Sequence, residues 1–179
     1  MPPKTRAARV AKEVLTELNV VKLDVKVREI AKKYAFIVRD PLPDDVSGML
    51  IPSAPGSSKK WIIVVNKTHP QTRQNFSMAH ELGHLILHGY TTPHADGGQP
   101  VRFRNETSSL GTDKDEIEAN QFAAELLMPE ELLMPRLQAL GLTSWDGEPS
   151  KDALEQLASE CKVSQQALVF RIASLLQPS

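Results

Sequence analysis

Apolar residues recur along this chain at two spacings, and the changes between them mark helices and a small group of strands. Val10, Val14, Leu15 and Leu18 fall on one stripe, which predicts a helix from about Ala7 to Leu18. Val27, Ile30, Ala31 and Tyr34 repeat that spacing in a second helix, with Asp24 as its expected N-cap. The period shortens at Phe36-Ile37-Val38, a short strand stopped by Pro41-Leu42-Pro43-Asp44-Asp45. Val46 to Ile51 and Trp61 to Val65 are two further strands, expected to form a hairpin across the polar loop Pro52 to Ser58. Helices and a few strands in separate runs place the chain in the α+β class.

The densest apolar stretch is Phe76-Ser77-Met78-Ala79-His80-Glu81-Leu82-Gly83-His84-Leu85-Ile86-Leu87-His88. Its helix is expected to start near Pro70 and to stop at Gly89, a favourable residue just past a helix end. Phe76, Ala79, Gly83 and Leu87 populate one side and Met78, Leu82 and Leu85 another, so the helix is buried around most of its circumference. Burying two imidazoles and a carboxylate in such a helix is costly unless they are paired or coordinate an ion. His80 and His84 are four residues apart and share a face, as the His-Glu-x-x-His pattern of a zinc-binding helix requires. Glu81, one position along, is placed to act as general base on a water molecule. His88 extends the series, but each four-residue step drifts about 40° around the helix, which leaves it a structural or orienting hydrogen bond. His69 and His94 lie in turns.

Two histidines leave a zinc site short of a third protein ligand, and a carboxylate is a standard choice. Thr112 or Asp113 is the expected cap of a helix running from Asp115 to Met128, where Glu116 and Glu118 both qualify. Glu118, Gln121 and Glu125 share a face that reads as exposed. Glu116, Ala119, Asn120, Ala123 and Leu127 share a small, largely apolar one that can pack closely on the metal helix, which favours Glu116 over Glu118. Asn120 on that face could orient Glu116 or a histidine ring, or only tie the two helices together. Between the two site-bearing helices, Thr91 to Gly111 is a candidate flap with one strand-like piece, Val101-Arg102-Phe103-Arg104. Trp61 to Asn66, just before the metal helix, is read two ways: a sheet edge that an extended substrate could join, or an internal strand.

After Pro129 a short helix, or two helical pieces broken at Pro135, reaches Gly141. Ser150 and Ser164 are expected to cap two terminal helices, with Leu154, Leu157 and Ala158 inward on the first and Leu168, Ile172 and Leu175 inward on the second. Their spacing is that of a helix-turn-helix. The second helix offers only Arg171, with Lys162 in the turn, so the reading is against direct DNA contact and for a structural or docking role. The expected division is therefore a peptidase-like domain over residues 1–140 and a helical segment over 141–179 packed on it.

Charge alters this picture little. The net charge is −1, but residues 1–40 carry ten Lys/Arg against five Asp/Glu, and residues 96–160 carry five against fourteen. A near-neutral total argues against a protein that coats nucleic acid. The single cysteine, Cys161, excludes an internal disulfide and fits a reducing compartment. The N-terminus has no signal-peptide core and no run is long enough to span a bilayer, so a cytoplasmic location is expected.

The stretch Phe76 to His88, followed by Glu116-Ile117-Glu118-Ala119-Asn120-Gln121-Phe122-Ala123-Ala124-Glu125-Leu126-Leu127-Met128-Pro129, resembles the ImmA/IrrE family of zinc metallopeptidases. The resemblance runs from about Tyr34 to Pro129 and extends to the helix-turn-helix-like end. It implies a zincin-like core with the metal helix on a small sheet, and one Zn²⁺ held by His80, His84 and Glu116. It also implies a protein substrate, a helix-turn-helix repressor or antitoxin, cleaved so that stress-response or mobile-element genes are released. Radiation-response members carry a further sensory domain for which this chain has no room after Ser179, so a different trigger is expected. The rival from another class is a protein that sequesters its repressor without cutting it; intact Glu81 favours the enzyme. Tyr90, His88 and His94 are candidates to stabilise an oxyanion, and nothing in the spacing selects among them.

Overall fold

The computed structural model describes residues 5–89, 94–97, 109–142 and 150–176, with the backbone alone for 94–97 and 109–113. The elements run α1 (Arg6–Glu17), α2 (Val27–Tyr34), β1 (Phe36–Asp40), β2 (Val46–Pro52), β3 (Trp61–Asn66), α3 (Gln71–His88), β4 (His94–Gly97), α4 (Ser109–Leu127), α5 (Glu130–Ala139), α6 (Lys151–Cys161) and α7 (Gln165–Leu176). This mixed α+β arrangement has a four-stranded sheet in the order β1-β3-β2-β4. Helix α3 lies between that sheet and α4, with α1 laid across α4. Its flanks meet protein on both sides, which is why an almost uninterrupted run from Ser77 to His84 is buried.

Strands β2 and β3 form the antiparallel hairpin expected of them. β3 also pairs in parallel with β1, so both of its edges are filled and it is an internal strand. The edge-strand reading of Trp61 to Asn66 is therefore wrong. The continuous apolar run Trp61-Ile62-Ile63-Val64-Val65 is the mark of a strand covered on both faces. On the far side of β2 it is β4 that pairs, antiparallel, with an irregularity between Val46 and Gly48. Within the expected flap, β4 and the first residues of α4 are all that is described; the strand-like piece Val101 to Arg104 lies outside the described residues.

Other elements depart from expectation in instructive ways. Asp24 does not cap α2; it sits in the left-handed region at φ 66°, and the N-cap is Lys26, without a side-chain bond. Helix α4 begins at Ser109, so Thr112 and Asp113 are inside it and not at its cap. Helix α5 continues through Pro135. Ser150 and Ser164 do cap: their hydroxyls accept from the backbone N–H of Ala153 at 3.2 Å and of Ala167 at 3.1 Å. The turn into α3 is tied by Asn66, fully buried at the end of β3, whose amide donates to the carbonyls of Leu42 and Val46 and accepts from the Thr68 N–H and hydroxyl.

The terminal helices join the same buried cluster as the rest through Leu157, Ala158, Cys161, Val163, Leu168 and Ile172. Arg171, the one basic residue that could have read DNA from α7, is turned inward. Its guanidinium pairs with Glu125 of α4 and donates to the Met128 carbonyl at 3.1 Å, with both charged side chains about nine-tenths buried. Glu125 is thus not on an exposed face, as the helix pattern had implied. Replacing Arg171 by Met should destabilise the fold by about 3–5 kcal/mol, because it leaves a buried carboxylate without its cation. Chemical denaturation measures this, and a loss under about 1 kcal/mol would mean the pair is not a bolt between α4 and α7.

Burial also pushes the Cys161 thiol up to about 12, with Glu160 adding to the effect and Arg136 opposing it. The native chain should resist iodoacetamide at pH 8 and react fully in denaturant, read by intact mass. The folded thiol holds its proton above the unfolded value of 9.0, so its contribution to stability is complete below that pH and is lost as pH climbs toward about 12.

Candidate metal centre

Helix geometry brings His80 and His84 together, and the packing of α4 on α3 brings Glu116 to them. The two Nε2 atoms are 2.9 Å apart. The Glu116 carboxylate places Oε2 3.3 Å from His80 Nε2 and Oε1 3.4 Å from His84 Nε2. One ligand atom from each of the three residues lies within 4.8 Å of the others. Both imidazoles are buried, and Glu116 keeps about a third of its side chain exposed, which leaves an approach from solvent.

These spacings fit zinc. Donors bonded at about 2.0–2.1 Å in a tetrahedron stand roughly 3.3 Å from one another, close to the separations seen. The protonation states suit a cation as well. Burial, opposed by the Glu116 carboxylate and aided by His80 and His88, holds the His84 ring below the usual imidazole range. Burial alone would favour the neutral acid at Glu116. Hydrogen bonds from His80 and His84 outweigh it and hold the carboxyl far below the usual carboxylate range. Neutral imidazole and ionised carboxylate are the forms that bind metal.

The remaining candidates separate cleanly. Glu118 faces elsewhere, paired with Arg6 at 3.2 Å and 3.9 Å from Lys114. Arg6 also donates to the Leu87 carbonyl at 2.7 Å, so α1 clamps the end of α3 to α4. His88 is held by Asp115, through its carboxylate at 3.3 Å and its carbonyl at 3.2 Å, and does not join the three ligand atoms. His69 contacts the Asp44 carbonyl in the loop after β1. Asn120 lies 3.0 Å, by its Oδ1, from His80 Nδ1. Of the alternatives open in the sequence, it orients a histidine ring. The side chains of Tyr90 and His94 lie outside the described residues.

Two glycines that no motif singled out make the site possible. A Cβ on Gly48 of β2 would lie 3.3 Å from the Val64 carbonyl and 3.4 Å from Glu81 Cγ, so the bare backbone leaves room for the fully buried Glu81. This is also where the pairing of β2 with β4 is irregular, and such bulges commonly re-aim side chains. A Cβ on Gly83 of α3 would stand 3.1 Å from Phe122 Cδ1, 3.2 Å from Ala119 Cα and 3.3 Å from the Ala119 carbonyl. Much of that obstacle is backbone, so α4 would have to move outward. Gly83→Ala should cost about 1–3 kcal/mol by overpacking, and it should weaken zinc binding because Glu116 rides on α4. A melting curve and a chelator competition check both effects; unchanged zinc affinity would show that the close approach does not set the ligand.

A cleft of about 1200 Å³ opens between α1, α4, α5 and α7, lined among others by Leu15, Phe76, Ala124 and Phe170. Asn120, which contacts His80, is on its wall.

Comparison with known proteins adds four findings. A family described as the IrrE N-terminal-like domain, a peptidase family, matches residues 21–173. Uncharacterized immunity region protein 2 of Bacillus phage phi105 is 41% identical over 68 residues, 38% of this chain and 38% of that protein. Radiation response metalloprotease IrrE of Deinococcus radiodurans is 28% identical over 114 residues, 62% of this chain and 30% of that protein. Among solved structures, a Mycobacterium tuberculosis transcriptional regulator superposes with a TM-score of 0.61 at 17% identity, over 96% of this chain and 47% of that one, a likeness of fold. The matched regions span well under two thirds of each relative's length.

Proposed function

Because the chain belongs to the IrrE N-terminal-like domain family of peptidases, we propose that it is a zinc-dependent endopeptidase that cleaves a helix-turn-helix transcriptional repressor or antitoxin. The observation that carries this reading is the convergence of His80, His84 and Glu116 within 4.8 Å, with Glu81 between the two histidines on α3. His80, His84 and Glu116 are the residues that would hold the ion. Bound there, zinc supplies a Lewis acid and makes water more acidic.

The chain's own residues do the rest. Glu81 takes the proton from the attacking water on its carboxylate and hands it to the departing amine nitrogen, the two transfers that peptide hydrolysis needs. Its full burial keeps bulk water from competing for that proton. The three protein ligands among the described residues leave a coordination position for chemistry, unlike a closed structural site. The phage relative's name, an immunity region protein, supports a substrate among repressors of mobile elements. Among the described residues no helix is long and apolar enough to cross a membrane. The single, buried cysteine is consistent with action in the cytoplasm.

The test uses the zinc-loaded chain and the helix-turn-helix protein encoded beside its gene. Mass spectrometry should find two new fragments that sum to the repressor plus one water, and 1,10-phenanthroline should abolish them. Relief of repression with an intact repressor would establish sequestration and overturn the peptidase reading.

A further inference from the structure

We propose that Arg73 is a specificity-determining residue that receives an acidic side chain of the protein substrate, an inference that rests on the peptidase reading above. Arg73 precedes His80 and His84 on α3 at spacings that place it within about 20° of each around the helix. It therefore leaves α3 on the face that carries the metal ligands, about 10 Å along the axis from His80. The side chain is exposed, and its Nε and Nη2 both donate to the Ser47 hydroxyl, at 3.0 and 2.7 Å. Ser47 is buried on β2, next to Gly48 and the irregular pairing with β4. Those bonds fix one edge of the guanidinium and leave the Nη1–Nη2 edge, a fork that matches a carboxylate. Arg6, Arg9, Arg136 and Arg171 each pair with a glutamate, whereas no carboxylate among the described residues pairs with Arg73.

The cleft supplies the path to it. Arg73, Phe76 and Asn120 all line the cleft, and Asn120 touches His80, so it leads from the metal centre along α3 to the guanidinium. The other cations that line it are already matched, Lys12 by Glu131 and Arg171 by Glu125. Among the described residues, Arg73 is the one cation of the cleft without an acidic partner. An extended chain rises about 3.3 Å per residue, so a side chain that reaches Arg73 belongs about three to five residues from the bond that is cut. A cation at that distance favours Asp or Glu there and rejects Lys or Arg.

The experiment measures kcat and KM separately for the full zinc-loaded chain and the helix-turn-helix protein encoded beside its gene. Wild type is compared with Arg73→Gln, Arg73→Lys and Arg73→Glu, with zinc content and melting curves alongside. In the substrate, each Asp or Glu within about five residues of the cut is changed to Lys in turn. Arg73→Gln should raise KM about 10–100-fold and leave kcat nearly unchanged, as the loss of a charge-assisted contact made equally in ground and transition states does. Arg73→Lys keeps the charge without the fork and should fall between the two. One of the substrate changes to Lys should weaken wild-type cleavage to a similar extent, and Arg73→Glu should restore it. A residue that only pins α3 to β2 cannot be rescued by a charge on another molecule. The proposal is overturned if Arg73→Gln keeps the wild-type KM, or if Arg73→Glu rescues none of the Lys-bearing substrates. Should the Gln or Glu variant not fold, the substrate series decides: a loss at one acidic position that shrinks in Arg73→Lys supports the pairing, and no such position overturns it. A wild-type chain that leaves the repressor intact fails the peptidase reading and takes this proposal with it.

Discussion

Replacing Glu81 by glutamine is expected to leave zinc binding unchanged and to lower repressor cleavage by about 100- to 10,000-fold, the usual reach of general acid–base catalysis. The two side chains are nearly the same size, so the amide fits the space that Gly48 leaves beside Glu81 Cγ. Glutamine cannot take a proton from water or return one to an amine, so both transfers lose their carrier. The ion should stay, because the three ligand atoms come from His80, His84 and Glu116 and none comes from Glu81. The measurement is zinc content by mass spectrometry of the purified chains, together with initial cleavage rates on the same repressor. Wild-type cleavage by Glu81→Gln would remove Glu81 from the mechanism. Lost zinc would instead make it part of the binding site.

The second large effect separates two neighbouring carboxylates. Glu116→Gln should weaken zinc binding by more than about 100-fold, beyond what the loss of an outer hydrogen-bond partner costs. Its carboxylate stands 3.3 and 3.4 Å from the two histidine nitrogens and is held ionised by them. A neutral amide removes the negative charge from a cation site and offers a poorer ligand. Glu118→Gln should leave zinc affinity as it is. That residue loses its pairing with Arg6, an arginine more than half exposed, and the longer one with the exposed Lys114, for which about 1 kcal/mol of stability is an upper expectation. Equal weakening by both substitutions would mean that α4 as a whole, not Glu116, responds to the change.

Much of the site is local and therefore readable in one dimension. A four-residue step on a helix puts His80 and His84 side by side whatever else the chain does, and Glu81 follows from its position between them. The ends of α3 at Pro70 and Gly89 and the caps of α6 and α7 at Ser150 and Ser164 come from side chains acting on their own backbone, and the structure has each of them as expected. Glu116 was favoured because its face is small, and that reasoning reached the residue that joins the histidines. What the face pattern could not give was the neighbour of the other face. Glu125 shares a stripe with Glu118 and Gln121, yet it is buried because α7 brings Arg171 to it.

The sequence by itself determined the helices and strands β1 to β3, though not β4, whose His94 it places in a turn, together with the two histidines and base on one helix and a short choice of carboxylates for the third ligand. Only the tertiary structure decided that β3 is enclosed by β1 and β2, that Glu118 belongs to Arg6 and that Asn120 belongs to His80. It also decided that Gly48 and Gly83 are the contact points that let a sheet and a helix close on α3. Periodicity fixes which residues share a face, because that is a property of one element's own backbone. Which element each face meets is set by contacts between segments far apart in the chain: Arg6 and Glu118 are 112 residues apart, His80 and Asn120 40.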